Sequence, residues 1–74
     1  MIDANKLKAE LRANGLTQAD FAKEMKKSAY TINKKINNQV EFTVNEIIDA
    51  CKILKIKNPI PIFLPEISHI CDEL

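Results

Sequence analysis

The sequence predicts an all-α fold, a compact domain of four to five short helices. Three observations lead there. Apolar residues recur at spacings of three and four along several stretches, and a capping residue, Asp3, Thr17, Ser28 or Thr43, stands before each of the first four. Hydrophobic residues make up 46% of the 74 positions while only 5% are aromatic, so the core must come from Ile, Leu, Ala, Val and Met, which suits short packed helices. That length holds one core and leaves no room for a second, catalytic domain.

The first helix is expected to open after Asp3, to carry Ala4, Leu7 and Leu11 on one face, and to stop at Asn14-Gly15, where glycine accepts a left-handed cap. Thr17 caps the second, with Asp20 as the capping-box acid and Leu16 and Phe21 placed as a hydrophobic staple. This helix runs from Gln18 to about Met25 and buries Phe21, Ala22 and Met25.

Ser28 opens the third helix, whose inward residues are Ile32 and Ile36, with Asn33, Lys34 and Lys35 expected to face outward. Asn37-Asn38 ends it. Thr43 and Glu46 form a second capping-box match, and Val44, Ile47, Ile48, Cys51 and Leu54 are expected as the apolar stripe of a fourth helix. Beyond Ile56, the prolines at 59, 61 and 65 rule out a long helix or a central strand, and Asn58-Pro59 is suited to start a short helical turn at a bend. Ile67, Ile70, Cys71 and Leu74 then repeat at the spacing of a short amphipathic helix. The organisation expected is a helical domain over 1–57 and a proline-containing extension over 58–74.

Enzyme chemistry is not expected: there are no paired carboxylates on one face, no Cys-His arrangement, and no glycine-rich phosphate loop, Gly15 being the sole glycine. Metal and cofactor binding are not expected either. Cys51 and Cys71 form no CxxC pattern and His69 lacks partners for a four-ligand zinc site. Cys51 reads as a small buried hydrophobe. No leader peptide or bilayer-spanning apolar run is visible, so a soluble cytoplasmic protein is expected. The net charge of +1 is unevenly placed: lysines 23, 26, 27, 34 and 35 face a single acid, Glu24, in that stretch, whereas residues 66–74 hold three acids and no lysine or arginine. A basic stretch of this kind serves either as a solvated helix face or as a surface for phosphate.

Two short helices joined by a tight turn within 18–38, flanked by a first and a fourth, make a helix-turn-helix, whose second member can lie in the DNA major groove. The run Leu-Thr-Gln-Ala-Asp-Phe-Ala-Lys-Glu-Met at 16–25, with Ser28, Thr31-Ile32 and Ile36-Asn37, resembles the lambda repressor and Cro class. The stretch Glu-Phe-Thr-Val-Asn-Glu-Ile-Ile at 41–48, leading to Leu54-Lys55-Ile56, further resembles small phage and prophage repressor-like proteins. The resemblance covers about residues 5–57. It implies a lambda-repressor-like domain that binds operator DNA as a dimer and regulates transcription.

By that resemblance Gln18 holds a phosphate and orients the recognition helix, and Ala22 packs closely against the helix that carries Ile32. Ser28, Ala29, Tyr30, Asn33 and Lys34 lie at the start and on the outer face of the recognition helix, and Lys26, Lys27 and Asn37 complete the candidate DNA-contacting set. Asn33 is suited to a two-point hydrogen bond with adenine, Tyr30 to a phosphate or a thymine methyl, and Lys34 to guanine or phosphate. Each has a plainer reading: Asn33 as a solvent-facing helix residue, Tyr30 as a partly buried core ring, Ser28 as an N-cap alone. Two positions depart from the family pattern. Lys26 stands where the family commonly has glycine in the turn, and Lys27 where it often has an apolar residue, so that its stem is expected to pack while its ammonium reaches toward phosphate. A rival reading is an antirepressor that grips a partner repressor through the same fold. The modest net charge favours it, as do the apolar residues Ile60, Ile62, Phe63, Leu64, Ile67, Ile70 and Leu74, which alternatively supply a homodimer contact.

Overall fold

A computed structural model describes residues 1–65, and in these the chain is all-α: five helices and no strand. They are α1 (Ala4–Ala13), α2 (Gln18–Glu24), α3 (Ala29–Ile36), α4 (Val44–Leu54) and α5 (Ile60–Phe63). The amphipathic helix expected in the tail, with His69 and Cys71, falls outside the described residues. None of the helices described is long and apolar enough to cross a membrane.

The four capping residues read from the sequence all cap. Asp3 accepts from the Lys6 amide, Thr17 from Asp20, Ser28 from Thr31 and Thr43 from Glu46, and both capping boxes close in full. Helix ends follow one pattern as well. Within two positions of the end of each of α1 to α4 stands a residue, Gly15, Lys26, Asn38 or Lys55, with a positive φ between 58° and 70°. After α2 the Lys27 amide returns to the Ala22 carbonyl at 2.9 Å and the Lys26 amide to Lys23 at 3.1 Å. The corresponding bonds after α1 run from Leu16 to Leu11 and from Gly15 to Arg12. These are Schellman caps, which satisfy carbonyls the helix itself leaves open. Only Gly15 is free of the steric cost of that conformation; a lysine there gives up about 1 kcal/mol.

Leu7 and Leu11 of α1, Phe21 and Ala22 of α2, Ile32 and Ile36 of α3, Ala50 and Leu54 of α4, and Ile62 and Phe63 of α5 meet in one core, joined by Met25, Ile2 and Phe42. Met25 follows α2, and Ile2 and Phe42 lie in the segments before α1 and α4. Ala22 and Ile32 are buried where α2 packs on α3, the small side chain letting the two backbones approach. Polar links tie the elements together. Asn14 donates to the Leu54 carbonyl, joining the ends of α1 and α4, and Asn38 both accepts from the Ile2 amide and donates to its carbonyl.

Three expectations need correction. The stripe of α4 is rotated: Ala50 and Leu54 are buried and Ile47 and Cys51 half-buried, but Val44 is 73% and Ile48 47% exposed. At about 100° per residue, Val44 lies roughly 120° and Ile48 roughly 160° around the helix from the buried Ala50. Lys35 does not face outward; it is 9% exposed and bonded to Glu46. Finally, the core does not stop at residue 57. The Asp3 amide donates to the Ile62 carbonyl at 2.7 Å, Phe63 meets Phe42 edge to face at 5.5 Å, and α5 rests on α1, so Ile62 and Phe63 are interior residues and not spare surface. Asn58 starts this turn by accepting from the Ile60 amide.

Candidate functional site

α3 presents its outer side through residues 30, 33, 34 and 37, which fall together because i, i+3, i+4 and i+7 share one helical face. Tyr30 is 70% exposed, so it is no core ring, and the Lys34 ammonium lies 4.8 Å from the centre of its ring. Asn33 and Asn37 are exposed one turn apart. Ala29 leaves the start of the helix open beside Tyr30. The Ser28 hydroxyl is committed to the cap: it accepts from the Thr31 amide and donates to the Thr31 hydroxyl at 2.8 Å.

Gln18 reaches this face from α2. Its Oε1 accepts from Asn33 Nδ2 at 3.3 Å, and Asn33 Oδ1 accepts from Asn37 Nδ2 at 3.2 Å. Three side-chain amides therefore run in series across the junction of α2 and α3. The sequence marks each residue separately but gives no sign of the string, because Gln18 and Asn33 are fifteen positions apart.

The basic residues divide. Lys26 is exposed at the apex of the turn and Lys34 lies on the outer face of α3. Lys27 is exposed but paired: its ammonium is 3.9 Å from Glu46 Oε2. Lys35 is bonded to both oxygens of the same carboxylate. Glu46, 6% exposed, thus answers two of the five lysines counted in this stretch while its Oε1 also accepts from the Thr43 amide at 2.8 Å. Burial pushes its carboxyl up, but the hydrogen bonds from Lys35 and Thr43 outweigh burial and hold it below the ordinary range. The Asp20 carboxyl is likewise held down, by hydrogen bonds from the backbone and hydroxyl of Thr17. Burial pushes the Cys51 thiol up, which leaves it a poor nucleophile.

Glu46 is the residue that sequence reasoning passed over, having read it only as a capping acid. Among the described residues no three His, Cys, Asp or Glu side chains converge as metal ligands would. Open concavities lie away from the outer face of α3: one is lined by Lys6, Lys55, Ile56 and Lys57, another by Ile47, Ile48, Cys51 and Pro59.

Comparison with known families gives one match, over residues 1–63, to the family described as "Protein of unknown function (DUF739)". The chain belongs to the DUF739 family. The matched stretch runs from the N-terminal segment through Phe63, so it takes in α5 with the rest of the core and the whole candidate face. No curated protein and no solved structure matches the chain.

Proposed function

We propose that this chain binds double-stranded DNA sequence-specifically and acts as a transcriptional regulator, laying α3 in the major groove with α2 across the backbone. One observation carries the reading. A short capped helix, packed on its neighbour through Ala22 and Ile32, turns Tyr30, Asn33, Lys34 and Asn37 outward, and none of these four serves the core. An exposed aromatic ring, two amides and a cation on one narrow helix face are the groups that read base edges and phosphates. The resemblance of residues 16–37 to the lambda repressor and Cro class supports the same assignment.

The second reading, a modulator that grips a partner protein, is favoured by the exposed apolar face of α4, where Val44 and Ile48 stand open. A second copy of this chain answers that face within the first reading, since two-fold pairing places two recognition helices about one DNA turn apart.

The test is a binding isotherm of the purified protein on the DNA upstream of its own gene and on a scrambled duplex, at two salt concentrations. A preference of about a thousandfold for the first, on a salt-dependent background, is expected of a specific regulator. Equal, weak and strongly salt-dependent binding to both would overturn it in favour of a protein partner.

A further inference from the structure

The string of amides determines which base edge Asn33 can accept. A side-chain amide has two N–H donors and two lone pairs on its oxygen. In Asn33 one N–H goes to Gln18 Oε1 and one lone pair receives Asn37 Nδ2. What remains is one donor and one acceptor. In the major groove adenine offers one acceptor, N7, beside one donor, the N6 amine; guanine offers two acceptors, cytosine a donor alone, and thymine an acceptor beside a methyl. Adenine is therefore the only base that meets both free positions. The match survives reversal of the whole string: were Gln18 the donor and Asn37 the acceptor, Asn33 would still be left with one of each.

We infer that Gln18 and Asn37 are positioning residues that hold the Asn33 amide ready for adenine, so that Gln18 acts on base choice and not only on the backbone. The inference rests on the DNA-binding reading above. A lone exposed asparagine can rotate about its side-chain torsions and must be ordered on binding, with a loss of rotamer entropy that weakens discrimination. Here two neighbours on opposite sides restrict the rotation beforehand: Gln18, anchored in the first turn of α2, and Asn37, at the C-cap of α3. Preorganisation of this kind raises selectivity without adding a contact to the DNA.

The experiment is selection from a pool of randomised duplexes by the full chain and by Asn33→Ala, Gln18→Ala and Asn37→Ala, with sequencing of the bound fraction and thermal melting of each protein. The unaltered protein should enrich a motif with one adenine position preferred by about 10-fold or more. Asn33→Ala should erase that preference. Gln18→Ala and Asn37→Ala should weaken it several-fold while preferences at other positions, and melting, stay as they were. Replacing that adenine by 7-deaza-adenine, which lacks the N7 acceptor, should weaken binding of the unaltered protein about 10-fold and leave Asn33→Ala indifferent. An adenine preference undiminished in Gln18→Ala and Asn37→Ala overturns the inference, as does an even loss across all positions, which would make Gln18 a phosphate contact alone. If the unaltered protein enriches a motif that Asn33→Ala leaves intact, this inference falls and DNA binding stands; if it enriches none, both fall.

Discussion

Replacing Lys35 by methionine should cost this domain a large share of its stability. The stem of Lys35 is of methionine's size, so the substitution removes the ammonium while keeping most of the packing. Glu46 would then stay 6% exposed without its closest counter-ion. Removing one partner of a buried ion pair costs about 3–5 kcal/mol, since the other charge is left uncompensated. Glu46 would retain the Thr43 amide at 2.8 Å and the distant Lys27 ammonium at 3.9 Å, which places the expected loss near the lower end, about 3 kcal/mol. Against a total of roughly 4–11 kcal/mol for 74 residues, that is severe, and it corresponds to a fall in Tm of about 10–25 °C. The companion is Lys35→Met with Glu46→Gln. Glutamine keeps the capping box but carries no charge, so the double variant should recover most of the loss. Urea and thermal unfolding of the unaltered protein, Lys35→Met, Glu46→Gln and the double variant, followed by circular dichroism, give the coupling. Lys35→Met within about 0.5 kcal/mol of the unaltered protein, or a double variant no better than the single, would refute the argument that desolvated charge dominates here.

Acid should unfold the protein through the same carboxylate. Glu46 is held below its ordinary value of 4.5, so folded Glu46 stays ionised where the unfolded chain takes up a proton; its contribution is complete above that value and is lost as pH falls through the folded one. Unfolding measured from pH 7 downward should show this loss below about pH 4.5, and Glu46→Gln should flatten it. Lys55→Gly should stabilise by about 1 kcal/mol by relieving a φ of 58° at a position away from the candidate face, which a urea midpoint would register; a lower midpoint would show that the lysine is not strained there. Val44→Glu with Ile48→Glu should leave melting nearly unchanged, since both side chains are exposed, and should abolish the proposed pairing of two copies in sedimentation; pairing undisturbed by both changes would place the interface elsewhere.

The helix ends were the most legible part of this fold. Asp3, Thr17, Ser28 and Thr43 are short polar side chains that satisfy backbone amides within three residues, so their effect is local and readable in order along the chain. The αL residue at Gly15 is readable for the same reason; at Lys26 only the resemblance, which has glycine there, points to it, and at Lys55 nothing does, because a lysine itself announces no positive φ. Which edge of a helix faces inward is a different matter. On α3, Asn33 and Lys35 lie about equally far around the helix from the centre of the face set by Ile32 and Ile36, at 3.6 residues per turn. Periodicity cannot choose between them. The choice is made by Glu46, which sits across the gap on α4 and draws Lys35 in, and with that Asn33 is left facing Gln18 and the solvent. The same non-local dependence hid the rotation of α4, where Val44 and Ile48 fit an apolar rhythm as well as Ile47 and Leu54 do. It also hid the role of α5, whose Ile62 and Phe63 are interior because Asp3 and Phe42 are there to receive them.

Seen from α3, these contacts fall into two sets with separate consequences. One edge of the helix is fastened from below by Lys35 to Glu46, deep enough that its rupture is felt in stability; the other is fastened to α2 by exposed amides, where each hydrogen bond is worth little to folding because water competes for both partners. Substitutions at Lys35 or Glu46 should therefore move melting, and through it everything the domain does. Substitutions at Gln18 or Asn37 should move selectivity and leave melting in place. Because the two sets share no side chain, their effects should add when combined, and a strong coupling between Lys35→Met and Gln18→Ala in melting would mean that the outer face of α3 is not independent of the core that carries it.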